Sequence, residues 1–441
     1  MTLVTLSLGA PVSRSARLLA SAAAVALAIG LSAAPSATAA PSAGFYDPPA
    51  DLPAGNGTVV RTEPMKLGLT LKGIYMPGTA TRLLYTSTDQ AGKKAAVTGA
   101  YIEPTKKWTG SGPRPLVAVA AGTQGQGDAC APSKSLETFI NLDGDEVGIG
   151  YELPGILDFL NRGFAVVLTD YIGLGTTDRV HTYTNRLDMG QALLDAARAA
   201  LKLPNTSVTA SSPIGLNGYS QGGGAAASAA ELAPTYAPEL NIKGAFAGAP
   251  PANLIEVLKS ADGTDLTGVI AYAINGITPY NPELQGALDT LATPAGKEAL
   301  EKVKTQCIGS TLFSYGFQKT SKWTTNGKSL YDTVKADPAL RAPVDEQRIG
   351  RLKPAVPVQV LTGTKDDIVD HAQAKQLAKD WCAKGVNVTY VPVVQPIGTG
   401  GTALNHLTPM ITRLGPSHDW LADRLTGKSV RSNCSSLWLL P

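Results

Sequence analysis

The sequence predicts an α/β fold: a doubly wound, mostly parallel sheet with a helical block inserted into it. Short apolar runs alternate with helical patterns from Leu116 to Ala247. The alternation stops over residues 253–351, where only helical patterns are found. It resumes at Val358, so one sheet is interrupted rather than ended.

The chain has 441 residues, of which 44% are hydrophobic and 17% charged, enough to bury a large core. The formal net charge is +3, without a block of Lys or Arg, so no nucleic-acid partner is expected. Arg14 and Arg17 precede an apolar run, Leu18–Ala33, and a small-x-small site, Ala37-Thr38-Ala39. That order predicts a secretory signal peptide over residues 1–39 and a secreted protein. The run is short for a bilayer, and no later stretch is apolar enough to span one, so no stable membrane insertion is expected.

Residues 40–59, rich in Pro, Gly and Ala, read as an extended tail. Thr81–Thr88 and Ala95–Glu103 alternate and read as a hairpin. Then come a buried strand at Leu116–Ala121, a helix at Leu153–Arg162 and a strand at Phe164–Thr169. Leu187–Leu201 has one apolar helical face. Ile214–Asn217 is a strand, Gln221–Leu232 a helix and Ile242–Ala247 a strand. Helices are expected at Asn253–Leu258, Leu266–Ile274, Lys297–Lys304 and Ser329–Lys335, then a strand at Val358–Thr362, a helix at Ala372–Lys384 and a strand at Val386–Pro392. The expected domains are a core over 40–250 and 352–441, with a helical cap over 251–351.

Gly218-Tyr219-Ser220-Gln221-Gly222 lies between an apolar strand and a small-residue helix. A serine hydroxyl needs a base to take its proton and a sharp turn to lift it off the sheet. Flanking glycines permit that turn, so Ser220 is the expected nucleophile; the bare pattern alone would also fit a glycine-rich turn. A base is expected downstream, after an acid. His406 follows the last strand and a Gly-rich loop, Gly398–Gly401. His181 precedes Ser220, His371 opens a helix and reads as a surface residue, and His418 reads as a helix cap. The acid is Asp366, with Asp367 as alternate, both just after the strand Val358–Thr362. An oxyanion hole needs two N–H donors: Gln221, and either Thr123 or Gln124 in Gly122-Thr123-Gln124-Gly125. No phosphate- or dinucleotide-binding pattern, metal spacing or cofactor motif is present, so no cofactor is expected.

Cys130, Cys307, Cys382 and Cys434 suggest two disulfides in an exported chain, with three pairings open. Taken together, Gly122-Thr123-Gln124-Gly125, Cys130-Ala131-Pro132-Ser133, Gly218-Tyr219-Ser220-Gln221-Gly222-Gly223, Asp366-Asp367-Ile368-Val369 and Asn405-His406-Leu407-Thr408 resemble the secretory lipase family of α/β-hydrolases, the yeast lipase A type. The resemblance implies lipid or small-ester hydrolysis, a helical cap, no cofactor, and the pairings Cys130–Cys307 and Cys382–Cys434. Gln124 stands where the yeast enzyme is acidic. A secreted peptidase or acyltransferase on the same fold, or a non-catalytic cell-wall or binding protein, remains open, as does oligomeric state.

Overall fold

A computed structural model describes residues 44–68, 76–395 and 400–441. The expected signal peptide, 1–39, and the start of the loop at Gly398 lie outside them. Among the described residues, nine strands form one sheet in the order β1-β2-β3-β7-β4-β8-β9-β10-β11. These are β1 (Val59–Met65), β2 (Gly78–Thr88), β3 (Lys94–Pro104), β4 (Leu116–Ala120), β7 (Ala165–Ile172), β8 (Ile214–Tyr219), β9 (Ile242–Gly248), β10 (Val358–Gly363) and β11 (Val388–Val393). β5 (Ile140–Asp143) and β6 (Glu146–Ile149) form a separate hairpin. From β7 through β11 neighbouring strands run parallel, whereas β1, β2 and β3 pair antiparallel and β3 meets β7 antiparallel. Strands β4, β7, β8 and β10 are buried throughout, which explains their unbroken apolar runs.

Among the described residues, seven helices lie outside the segment between β9 and β10: α1 (Pro132–Thr138), α2 (Leu153–Asn161), α3 (Arg186–Lys202), α4 (Gln221–Tyr236), α12 (His371–Ala383), α13 (Leu404–Thr412) and α14 (Leu414–Leu425). Between β9 and β10 the chain forms α5–α11: Leu254–Ser260, Val269–Ile277, Pro282–Leu291, Pro294–Val303, Ile308–Tyr315, Leu330–Ala336 and Pro338–Glu346. This excursion has its own apolar cluster, with Ile270, Ala271, Tyr272, Val303 and Trp323 buried in it.

Some expectations are corrected. The segment before β1 is not a loose tail: Phe45 and Tyr46 are buried, and each ring lies 5.4 Å from the guanidinium of Arg82. Buried Arg82 is also paired with Glu63 and Glu137, so this segment covers one end of the sheet. His418 is not a cap. It lies within α14, buried, stacked on Phe159 at 3.9 Å with Nδ1 2.7 Å from Asp158. His371 is half-buried, its Nε2 3.1 Å from the Tyr390 hydroxyl.

Cys130 is bonded to Cys307 and Cys382 to Cys434. The first bond joins residues 177 apart and ties α9, in the helical excursion, to the loop that follows β4. In the chain-entropy model a loop of that length stabilises by about 5 kcal/mol. The second ties α12 to the C-terminal segment, where Asn433 bonds both backbone groups of Tyr390 at 2.9 and 2.8 Å on the edge strand β11.

Candidate active site

Ser220 stands at the turn from β8 into α4 with φ 58° and ψ −122°. A non-glycine residue held there costs on the order of 1–3 kcal/mol, and surrounding contacts must fix it. They do so by close packing. A Cβ on Gly222 would lie 2.1 Å from the Ala120 carbonyl oxygen, and one on Gly223 2.0 Å from that of Gly248. The Ser220 N–H donates to Gly248 at 2.9 Å. Glycine at 222 and 223 therefore lets α4 start against the sheet and raises Ser220 above its edge.

His406 lies on α13, after β11. Its Nε2 is 2.8 Å from Ser220 Oγ, and its Nδ1 is 2.8 and 3.0 Å from the two oxygens of Asp366. Asp366 also accepts from the N–H groups of Ile368 and Val369 at 3.0 and 2.9 Å. Asp367 faces elsewhere: it accepts from the backbone N–H of Gly401, Thr402 and His406 at 3.0, 3.1 and 3.1 Å. One carboxylate thus meets the imidazole and its neighbour holds the loop that carries it. Tyr219 adds a second hold, its hydroxyl donating to the His406 carbonyl at 2.6 Å.

Burial works against an imidazolium at His406. The charge of Asp366 and its hydrogen bond, with further help from Asp367 and Asp265, outweigh burial and raise the pKa above the usual histidine value. Asp265 comes from the helical excursion, is 6% exposed, and has a buried Oδ1 without a hydrogen-bond partner among the described residues. Burial first, then the charge of Asp367, pushes its carboxyl up to about 7. Nothing in the sequence marks Asp265, because its position depends on how the helices fold back over β10.

Thr123, Ser220 and Gln221 line one pocket. The Thr123 hydroxyl is 2.7 Å from that of Tyr183, and its carbonyl accepts from Tyr151 at 2.7 Å. Gln124 is buried, and its carbonyl accepts from Ile308 N–H at 2.8 Å. Of the two candidates in this loop, Thr123 lines the pocket that Ser220 lines, and Gln124 does not. Beneath the loop the Gly122 N–H donates to Glu152 at 2.8 Å, and burial raises that carboxyl to about 7. His181, set aside because it precedes Ser220, is buried here with its Nε2 2.9 Å from the Gln221 side-chain nitrogen.

Most of the remaining lining is apolar and comes from the helical excursion, including Leu258, Ile270, Ala273, Ile274, Leu300 and Trp323, with Ile368 and Val369 from the turn after β10. Among the described residues, no group of three or more His, Cys, Asp or Glu could hold a metal, and no helix is long and apolar enough to cross a membrane.

Residues 140–433 match the family described as Secretory lipase. Lipase 2 of Candida albicans is 30% identical over 411 residues, which cover 89% of this chain and 82% of that protein. A Mycobacterium tuberculosis protein named "Probable inactive lipase" is 29% identical over 388 residues, 88% of this chain and 82% of its own length. The closed state of Candida antarctica lipase A superposes with a TM-score of 0.74 at 22% identity, covering 90% of this chain and 88% of that one. That likeness shows a shared α/β-hydrolase fold.

Proposed function

Because the chain belongs to the secretory lipase family, we propose that it is an exported serine ester hydrolase whose nucleophile is Ser220. The observation that carries this reading is the hydrogen-bond chain Ser220–His406–Asp366, which opens on an apolar pocket. Ser220 Oγ attacks the ester carbonyl and its proton passes to His406 Nε2. Asp366 holds the imidazole in the tautomer with Nδ1–H and stabilises its cation. The backbone N–H groups of Gln221 and Thr123 receive the oxyanion. His406 then protonates the leaving alcohol, and the acyl group stays on Ser220. A water molecule, deprotonated by His406, attacks the acyl-enzyme; the acyl–Oγ bond breaks, His406 returns the proton to Ser220 Oγ, and the carboxylic acid leaves. No step calls for a cofactor.

Residues 1–39 act as the signal peptide in this reading, and residues 251–351 form a cap whose inner wall receives the acyl chain. An apolar wall suits a fatty acyl group better than a peptide, which favours ester over peptide hydrolysis. Rates on p-nitrophenyl esters of rising chain length test it. Ala273→Phe fills the pocket and is expected to lower turnover of long acyl chains about tenfold or more, with the shortest esters changed little; overpacking costs of about 1–3 kcal/mol are of that order. Equal loss at every length would mean a damaged fold instead. Leu312, which packs in the cap's own apolar cluster, does not line the pocket and should not shift the profile.

The base works only when His406 is neutral, so kcat/KM should rise with pH as its proton leaves. Since Asp366, Asp367 and Asp265 raise its pKa, the midpoint of that rise is expected above the ordinary histidine value of about 6.5. A midpoint at or below that value contradicts the arrangement.

A further inference from the structure

An oxyanion hole works only if two N–H groups point at one spot, and here they come from distant parts of the chain, the loop after β4 and the start of α4. One short segment, residues 181–183, touches both. His181 Nδ1 lies 3.0 Å from the Ile172 carbonyl, which can only accept, so Nδ1 carries the proton. Nε2 is then an acceptor for the side-chain amide N–H of Gln221, 2.9 Å away. Burial lowers the His181 pKa to about 4, opposed by the bond to Ile172, so the imidazole stays neutral and keeps that acceptor. Two residues on, the Tyr183 hydroxyl is 2.7 Å from Thr123 Oγ1.

The segment is itself held in place. Gln126 donates to the His181 carbonyl at 2.8 Å, and the ring of Tyr171 stacks on His181 at 5.6 Å. Helix α6 approaches so closely that a Cβ on Gly276 would lie 2.2 Å from the Tyr183 carbonyl oxygen.

We propose that His181 and Tyr183 are positioning residues, a strap that fixes the two oxyanion donors relative to each other, Gln221 through its side-chain amide and Thr123 through its hydroxyl. The inference rests on the proposed oxyanion hole. His181 touches no reacting atom. It acts through Gln221, whose backbone N–H faces the oxyanion while its side chain is anchored behind. The strap should therefore matter most when charge develops on the carbonyl oxygen, and little when the substrate first binds.

The test is steady-state kinetics on a short p-nitrophenyl ester, with the affinity of a trifluoromethyl ketone, whose adduct with serine carries an oxyanion. Wild type is compared with Gln221→Leu, Tyr183→Phe, His181→Gln, His181→Ala and the Gln221→Leu/His181→Ala pair. Losing an oxyanion donor outright costs about a hundred- to a thousandfold in kcat, so a donor left in place but loosened should cost less. Gln221→Leu and His181→Ala are expected to lower kcat roughly ten- to a hundredfold with KM changed little, and to weaken the ketone by a similar factor. Tyr183→Phe should do the same to a smaller degree. The double variant should be no worse than either single one, because both break the same bond. His181→Gln, which keeps an acceptor near the Nε2 position, should recover most of the rate. Unchanged kcat in Gln221→Leu overturns the proposal, as does additivity in the double variant. Should His181→Ala fail to fold, Gln221→Leu decides alone. Ser220→Ala run in parallel separates the two claims: hydrolysis that survives it removes the proposed mechanism, whereas Ser220-dependent hydrolysis indifferent to Gln221→Leu removes only the strap.

Discussion

Replacing Ser220 by Ala is expected to bring ester hydrolysis to background, a loss of up to about a millionfold in kcat, while the protein stays folded. The side chain being removed is small, and the residue's strained backbone is held by the Gly248 bond and the glycine packing rather than by the hydroxyl. Thermal unfolding of the variant should therefore stay within a few degrees of wild type, a shift worth about 1 kcal/mol or less. Loss of activity together with loss of fold would leave the role of the hydroxyl unsupported, so both are measured on the same preparation.

Asp366→Asn is expected to cost about ten-thousandfold in turnover, because an amide facing His406 Nδ1 can favour the wrong tautomer. Asp367→Asn should cost far less, on the order of tenfold, since it weakens charge-assisted bonds to the Gly401, Thr402 and His406 backbone without touching the imidazole. Its main effect should be lower thermal stability around the loop before α13. If the Asp367 variant is the inactive one, the two roles are exchanged.

The sequence favoured Asp366 over Asp367 but carried no physical mark of their separate contacts. Both carboxylates follow β10 in a turn, and only the direction of each side chain distinguishes them. By contrast the sharp turn at Ser220 was legible, because the glycines around it record how near α4 lies to Ala120 and Gly248. The parallel sheet was equally readable in its unbroken apolar strands. Strand β1 was not: Val59–Met65 includes Arg61, Glu63 and Pro64, which an edge strand tolerates and a pattern search rejects. The small hairpin β5–β6 left a trace in Asp143-Gly144, a turn with Gly144 at φ 59°, but its exposed Ile140 and Leu142 show no buried face. His181 was discarded by chain order, a rule that finds catalytic bases but says nothing about residues that hold a donor in place. Cysteine pairing could not be had from spacing at all, since it depends on the excursion returning α9 to the loop after β4.

In the proposed mechanism Ser220 is the residue that becomes acylated. This assignment is tested most directly by incubating the protein with a fluorophosphonate and mapping the modified residue by peptide mass spectrometry. The expected result is one adduct, on the peptide carrying Ser220, blocked by prior incubation with a short ester inhibitor and absent from Ser220→Ala. An adduct on a different serine, or labelling that persists in Ser220→Ala, would rule Ser220 out as the nucleophile.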